Sequence, residues 1–160
     1  MTAQEFDVVV VGSGAAGMVA ALTAAHQGLS TVLVEKAPHF GGSTARSGGG
    51  VWIPNNEILK RAGQSDTKEA ARTYLHTIIG DVVPAEKIDT YLERSPEMLS
   101  FVLKRTPLKM CWVPGYSDYY PEEPGGRPAG RSIEPLPFDA KKLGPDMAGL
   151  EPAYGKVPLN

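Results

Sequence analysis

Thiol chemistry is almost missing from this 160-residue sequence. Its one cysteine, Cys111, stands beside Trp112 and Val113 and reads as a small buried hydrophobe; a single thiol excludes a disulfide within the chain. The three histidines, His26, His39 and His76, have no second ligand at metal-binding spacing, so no metal site is expected. His76 falls in the middle of a helical pattern, where a structural role is the ordinary one. A surplus of one charge is also lacking. A formal net charge of −2 gives no basic stripe for nucleic acid and no electrostatic hold on a membrane surface. No apolar run approaches the ~20 residues that cross a bilayer, and no basic-then-apolar leader opens the chain. These absences predict a reducing, cytoplasmic address, with neither nucleic acid nor a membrane span as partner.

What is present is concentrated in Phe6–Glu35. Val8–Val11 is a short β-branched apolar run, the pattern of a parallel strand buried on both faces. Gly12-Ser13-Gly14-Ala15-Ala16-Gly17 follows as a G-x-G-x-x-G turn, then an alanine-rich helix from about Ala15 to Gln27, ended by Gly28. A second strand, Thr31–Val34, delivers Glu35 at its carboxyl end. Strand, turn, helix, strand and acid together make the dinucleotide fingerprint of an α/β, Rossmann-like fold. Gly12 allows the turn, Gly14 lets a pyrophosphate approach the backbone, and Gly17 lets the helix lie close on the sheet. The helix start offers N–H groups to phosphate. Glu35 would accept hydrogen bonds from a ribose diol and repel a 2′-phosphate, which argues against NADP.

The next stretch bears on FAD against NAD. Lys36 leads through Pro38 and Phe40 into Gly41-Gly42-Ser43-Thr44-Ala45-Arg46-Ser47-Gly48-Gly49-Gly50. Glycines interleaved with hydroxyls predict a loop rather than a packed helix or strand, one whose N–H and O–H groups can wrap an anion and a flat ring. A flexible linker has similar composition. Linkers do not ordinarily follow a ribose-binding acid, however, and Val51-Trp52-Ile53 resumes an apolar pattern at once. The glycine pair, hydroxyl pair and glycine triplet, in that order, resemble the FAD-dependent fumarate reductase-like flavoproteins and 3-ketosteroid dehydrogenases, in which this loop is the second flavin contact. The resemblance implies FAD as cofactor, held by Gly12, Ser13, Gly14, Ala15, Ala16, Gly17, Glu35, Lys36, Gly41, Gly42, Ser43, Thr44, Ser47, Gly48 and Gly49.

Helical patterns follow. One runs from Asn55, as cap, to Ala62, and a second from Asp66 as N-cap, with Glu69 three residues on, to about Ile79. A third spans about Ala85–Glu93, and a fourth starts at Ser95-Pro96 and stops before Pro107. Beyond Thr106 the texture changes: ten of the fourteen prolines lie between Pro107 and Pro158, so long ladders are not expected there. Leu108–Val113 has the makings of a strand; the remainder reads as turns and short extended pieces. Two domain parts are therefore expected, 1–106 for FAD and 107–160, Pro-rich, toward the substrate.

Within that segment, Trp112-Val113-Pro114-Gly115-Tyr116-Ser117-Asp118-Tyr119-Tyr120-Pro121 gathers aromatic rings and an acid. Such rings can simply staple a loop to the core, or they can wall a pocket for a flat, largely hydrocarbon ketone. Gly49–Asn55, Asp118-Tyr119-Tyr120 and Gly130-Arg131-Ser132-Ile133 with its following prolines, taken with the flavin motifs, resemble 3-ketosteroid Δ1-dehydrogenases over essentially the whole chain. That resemblance implies 1,2-desaturation of a 3-oxosteroid, with a base removing a proton beside the ketone and hydride passing to FAD. The matched candidate catalytic residue is Tyr119, supporting a second tyrosine that acts as base; Tyr120 is the competing assignment. An external electron acceptor is implied as a further partner.

Two recognisable parallel strands are too few for a dinucleotide domain, and Val157-Pro158-Leu159-Asn160 brings no closing element. The expectation is an incomplete N-terminal fragment of a larger two-domain flavoprotein, inactive alone. Its partner would be the remaining C-terminal sequence, which would supply the base tyrosine and the ketone-polarising groups. Three alternatives stay open: a nicotinamide-binding domain, a non-catalytic flavin-binding remnant, and another fumarate reductase-like oxidoreductase, including a Δ4-(5α)-dehydrogenase.

Overall fold

A computed structural model describes residues 4–152. They form two compact units, residues 4–49 with 139–152, and Gly50–Phe138. The change of texture at Thr106 falls inside the second unit, and the closing residues Val157-Pro158-Leu159-Asn160 lie outside the described residues.

The first unit is built on β1 (Val8–Val11), α1 (Ala15–His26) and β2 (Thr31–Val34), with β1 and β2 parallel in the register Val8↔Thr31 to Val11↔Val34. Val10 faces the helix: a Cβ built on Gly17 would stand 3.5 Å from Val10 Cγ1. The expected burial of β1 on both faces is corrected here. Val9 and Val11 are 60% and 82% exposed, because α1 covers only the Val8–Val10 face and β2 is the only strand paired with β1 among the described residues. Residues 41–50 are also not loop throughout. A one-turn helix, α2 (Gly42–Arg46), starts from Gly41, whose φ of 111° is open to glycine and strained for other residues. Ala140–Gly149 holds two short 3₁₀ turns broken at Gly144, whose φ is 54°, and leads into a parallel bridge between Phe40 and Leu150. An Arg46 Nε to Glu151 Oε1 bond of 2.8 Å ties α2 to the same return segment.

The second unit pairs three short antiparallel strands, β3 (Val51–Trp52), β4 (Met110–Trp112) and β5 (Ser132–Pro135), in the order β3-β5-β4. Ile133 is the shared register point, opposite both Val51 and Trp112. It is buried with Ile53, Ile58, Leu59 and Leu99, whereas Cys111, opposite Glu134, is a free thiol only half-buried rather than the buried hydrophobe expected. A second cluster joins Ala71, Ile88 and Leu92, with Leu75, Ile79 and the Trp52 ring packed on it.

Three helix boundaries move from their expected places. In α3 (Glu57–Arg61) the cap is Asn56, not Asn55: its Oδ1 accepts from Ile58 N at 2.7 Å and Leu59 N at 3.0 Å, while Nδ2 donates to Ile53 O at 2.6 Å. The helix α4 (Lys68–Ile79) is capped by Thr67, since Asp66 is drawn inward to Arg131. Finally, α5 (Ala85–Arg105) is one helix with Pro96 inside it. An interior proline costs ~3 kcal/mol, but burial of Ile88, Leu92 and Leu99 along one continuous stripe offsets it at about 1.5–3 kcal/mol each.

Candidate functional site

Ser13 is the hub of the first unit's loop cluster. It is 1% exposed. Its N–H donates to Glu35 Oε2 at 2.8 Å, its hydroxyl donates to the same oxygen, and its Oγ accepts from Gly41 N at 2.8 Å. Three sequence-distant pieces, the G-x-G-x-x-G turn, the end of β2 and the start of the Gly/Ser stretch, are thereby tied at one residue. Glu35 Oε1 accepts from Ala37 N at 2.9 Å. That bond first, and the two Ser13 donors next, hold the Glu35 carboxyl down at about 2, so it is an anion throughout the physiological range.

The glycines of the turn divide their tasks by geometry. Gly12 sits at φ +93°. A Cβ on Gly17 would fall 1.8 Å from Gly12 O, so only glycine allows α1 to lie this close to the turn. Gly14, by contrast, opens outward: a Cβ there would meet only Thr44 Oγ1, at 3.8 Å. Gly42 packs opposite it, a Cβ on Gly42 lying 3.6 Å from Gly14 Cα. Thr44 Oγ1 accepts from Ala15 N at 3.1 Å, and no side chain caps α1 at Gly14. The N–H groups of Ala16 and Gly17 therefore have only their helix-start position, where no intrahelical acceptor exists. This cradle fits a dinucleotide pyrophosphate: backbone donors, a positive helix end and no Cβ in the approach. Ser43, Thr44, Ser47 and Gly48 are exposed around it, Gly49 is half-buried, and Lys36 is exposed beside Glu35. The Ser47 hydroxyl donates to Thr44 O at 3.0 Å and accepts from Gly49 N at 3.1 Å, shaping the turn after α2.

Tyr119 belongs to the second unit. Its side chain is 82% exposed, next to an Asp118 whose side chain is entirely buried. Asp118 accepts from Trp52 Nε1 at 2.8 Å, from Arg127 N at 3.1 Å and from Arg131 Nη1. Arg131, also fully buried, donates from Nε to both oxygens of Asp66 at 3.1 and 3.2 Å and from Nη2 to Gly125 O at 2.8 Å. The Tyr119 hydroxyl pairs with that of Tyr116, and this bond, with the charge of Tyr119 next, raises the Tyr116 phenol above its usual value. Tyr120 is half exposed, and its N–H donates to Tyr74 Oη at 3.2 Å.

The sequence brought Glu35 and the two glycine-rich stretches into view but not Ser13 as their joint. It likewise did not show that Asp118, Arg131 and Asp66 meet. The usable signal for that meeting was an arginine set between Gly130 and the head of β5. Among the described residues no helix is long and apolar enough to cross a membrane.

The chain is 83% identical over its full length to 3-oxosteroid 1-dehydrogenase of Mycolicibacterium smegmatis, of which it covers 28%. It is 42% identical, over 91% of its residues, to 4-oxocyclohex-2-ene-1-carboxylate 5-dehydrogenase of Sinomonas cyclohexanicum, covering 24% of that protein. Among solved structures, 3-ketosteroid delta1-dehydrogenase from Sterolibacterium denitrificans, in complex with 1,4-androstadiene-3,17-dione, superposes with a TM-score of 0.88 at 42% identity. That match takes in 93% of this chain and 26% of the other. The chain thus spans little more than a quarter of the length of these 3-oxosteroid 1-dehydrogenases. The model of the FAD binding domain matches residues 7–152, from the head of β1 through the Glu151 return. With the pyrophosphate cradle lying inside those bounds, the chain belongs to the FAD binding domain family.

Proposed function

We propose that the protein to which this chain belongs is an FAD-dependent 3-oxosteroid 1-dehydrogenase acting in cytoplasmic steroid degradation. One observation carries the reading: the 83% identity to the mycolicibacterial 3-oxosteroid 1-dehydrogenase is taken over all 160 residues of the chain. The aligned span therefore takes in residues 107–135, which lie outside the strand–turn–helix–strand unit that binds the dinucleotide. Bound FAD supplies an acceptor for hydride. The chain's own residues supply the hold on that cofactor. The Gly12–Gly17 turn and the start of α1 bind the pyrophosphate through N–H groups. Glu35, held anionic, accepts from the ribose on the Oε1 lone pair that its present donors leave. Lys36, Gly41, Gly42, Ser43, Thr44, Ser47, Gly48 and Gly49 surround the flavin side.

The Pro-rich residues 107–160 contribute to the substrate side, and residues 1–106 to the flavin domain. Tyr119 presents an accessible phenol that donates a hydrogen bond to a second tyrosine. This stabilises the phenolate that removes a proton beside the ketone. The second tyrosine and the donors that polarise the ketone belong to sequence outside this chain, and an external electron acceptor closes the cycle.

The intact flavin-loaded enzyme, given a 4-ene-3-oxosteroid, is expected to form the 1,4-diene-3-one, read by its ultraviolet spectrum and by a mass loss of two hydrogens. The 42% identity to a dehydrogenase of a monocyclic oxo acid supplies the comparison substrate. Turnover of 4-oxocyclohex-2-ene-1-carboxylate without turnover of the steroid would replace this reading, and desaturation of a 5α-3-oxosteroid only at C4–C5 would move it to a Δ4-(5α)-dehydrogenase.

A further inference from the structure

Tyr119 is exposed, yet both of its chain neighbours are fixed. On one side, Asp118 is held through its backbone, with Asp118 N donating to Arg127 O at 3.1 Å, and through both carboxylate oxygens. On the other, Tyr120 N is held by the Tyr74 hydroxyl. The anchor beneath them is Arg131. Its guanidinium lies 5.5 Å from the Trp52 ring centroid and 5.6 Å from that of Tyr74, and Asp66, Asp118 and Gly125 O take its N–H groups. The loop is closed from below as well, since a Cβ on Gly130 would lie 1.8 Å from Tyr116 O.

A fully buried ion pair is a poor device for stability, because desolvating two charges offsets most of their attraction, and an apolar pair of like volume commonly does better. What a planar fork with fixed partners does supply is direction. Here the direction is delivered to Tyr119, the most exposed of the three loop tyrosines at 82% against 50% for Tyr116 and 52% for Tyr120. Stapling the loop by its rings does not account for this, as the ring between the two fixed residues is the one left 82% exposed.

We infer that Asp118, Arg131 and Tyr74 are positioning residues that act through Tyr119, setting its hydroxyl for the proton-transfer step. The inference rests on the desaturase reading above. It predicts coupling. In the intact enzyme, Asp118→Asn and Tyr74→Phe should each lower kcat by about tenfold, with KM for the steroid and flavin content nearly unchanged. In a Tyr119→Phe background the same substitutions should cost less than about twofold more, since the group they act through is gone. Tyr74→Phe deletes one hydroxyl and leaves its ring against Arg131, so the test survives if Asp118→Asn fails to fold. Equal losses in both backgrounds, in an active parent, would overturn the inference alone. A parent that holds flavin but desaturates no 3-oxosteroid would overturn the functional reading and this inference with it.

Discussion

Ser13 donates twice to one oxygen of Glu35, from its N–H and from its hydroxyl, while its own Oγ receives the N–H of Gly41. The carboxylate at the end of β2 is thereby part of the phosphate turn and not merely near it.

A pH dependence follows with a definite sign. The folded-state value for Glu35 is about 2, below its ordinary 4.5. A depressed carboxyl contributes stability that is fully present above the ordinary value and is lost as pH falls through the folded one. The difference in melting temperature between the parent and Glu35→Gln should therefore be constant above pH ~4.5 and shrink between there and ~2. Thermal scans across that range check it; a gap that widens on acidification contradicts the assignment.

Gly14 and Gly17 should fail in different ways. Gly14 has room for a side chain and an ordinary φ of −66°, so Gly14→Val should fold and lose flavin, its isopropyl group standing where the pyrophosphate approaches. Gly17→Ala meets Gly12 O at 1.8 Å and should destabilise the fold by about 1–3 kcal/mol or more. Flavin absorbance per protein, read beside the melting temperature, separates the two. Gly14→Val purified with a full complement of flavin would remove the phosphate from this turn.

Arg131→Leu should be among the most damaging single changes in the second unit. It strands the buried Asp118 without its cation and leaves the buried Asp66 only Arg127, 3.4 Å away. Breaking a buried pair from one side costs about 3–5 kcal/mol. Denaturant midpoints would measure it, and a loss no larger than that of an exposed pair such as Arg94–Glu97 would show that the Arg131 cluster is hydrated and weak.

Tyr119→Phe keeps the ring and removes the donor. If that donor acts mainly in the transition state, its loss is worth roughly 2.7–4 kcal/mol, a hundred- to thousand-fold in turnover. Steroid affinity and flavin content should hardly move, and Tyr120→Phe should be the milder change. Stopped-flow reduction of the flavin by steroid tests both; a crippled Tyr120→Phe beside a silent Tyr119→Phe would shift the assignment by one residue.

Local chemistry made the first unit legible. Val8–Val11, the Gly12–Gly17 turn, Gly28 and Thr31–Val34 lie within one short span, and each acts on neighbours in the chain. The bounds of β1 and β2 therefore stand where the residues put them, and α1 differs only at its last residue. Glu35 was readable for the same reason. Tertiary structure decided what depended on distant partners. Asp66 has the composition of a helix cap, but Arg131, 65 residues on, takes it for an ion pair and leaves the cap to Thr67. Ser95-Pro96 has the composition of a helix start, but a continuous buried stripe from Ile88 to Leu99 carries α5 through it. Val9 and Val11 look like core, and whether a valine is buried depends on what lies against that face of the sheet. A capping preference or a proline penalty is worth a few kcal/mol at most. A buried cation's need for its carboxylates, or several apolar side chains' need for cover, is as large or larger, and the residues that supply them are not neighbours in the sequence.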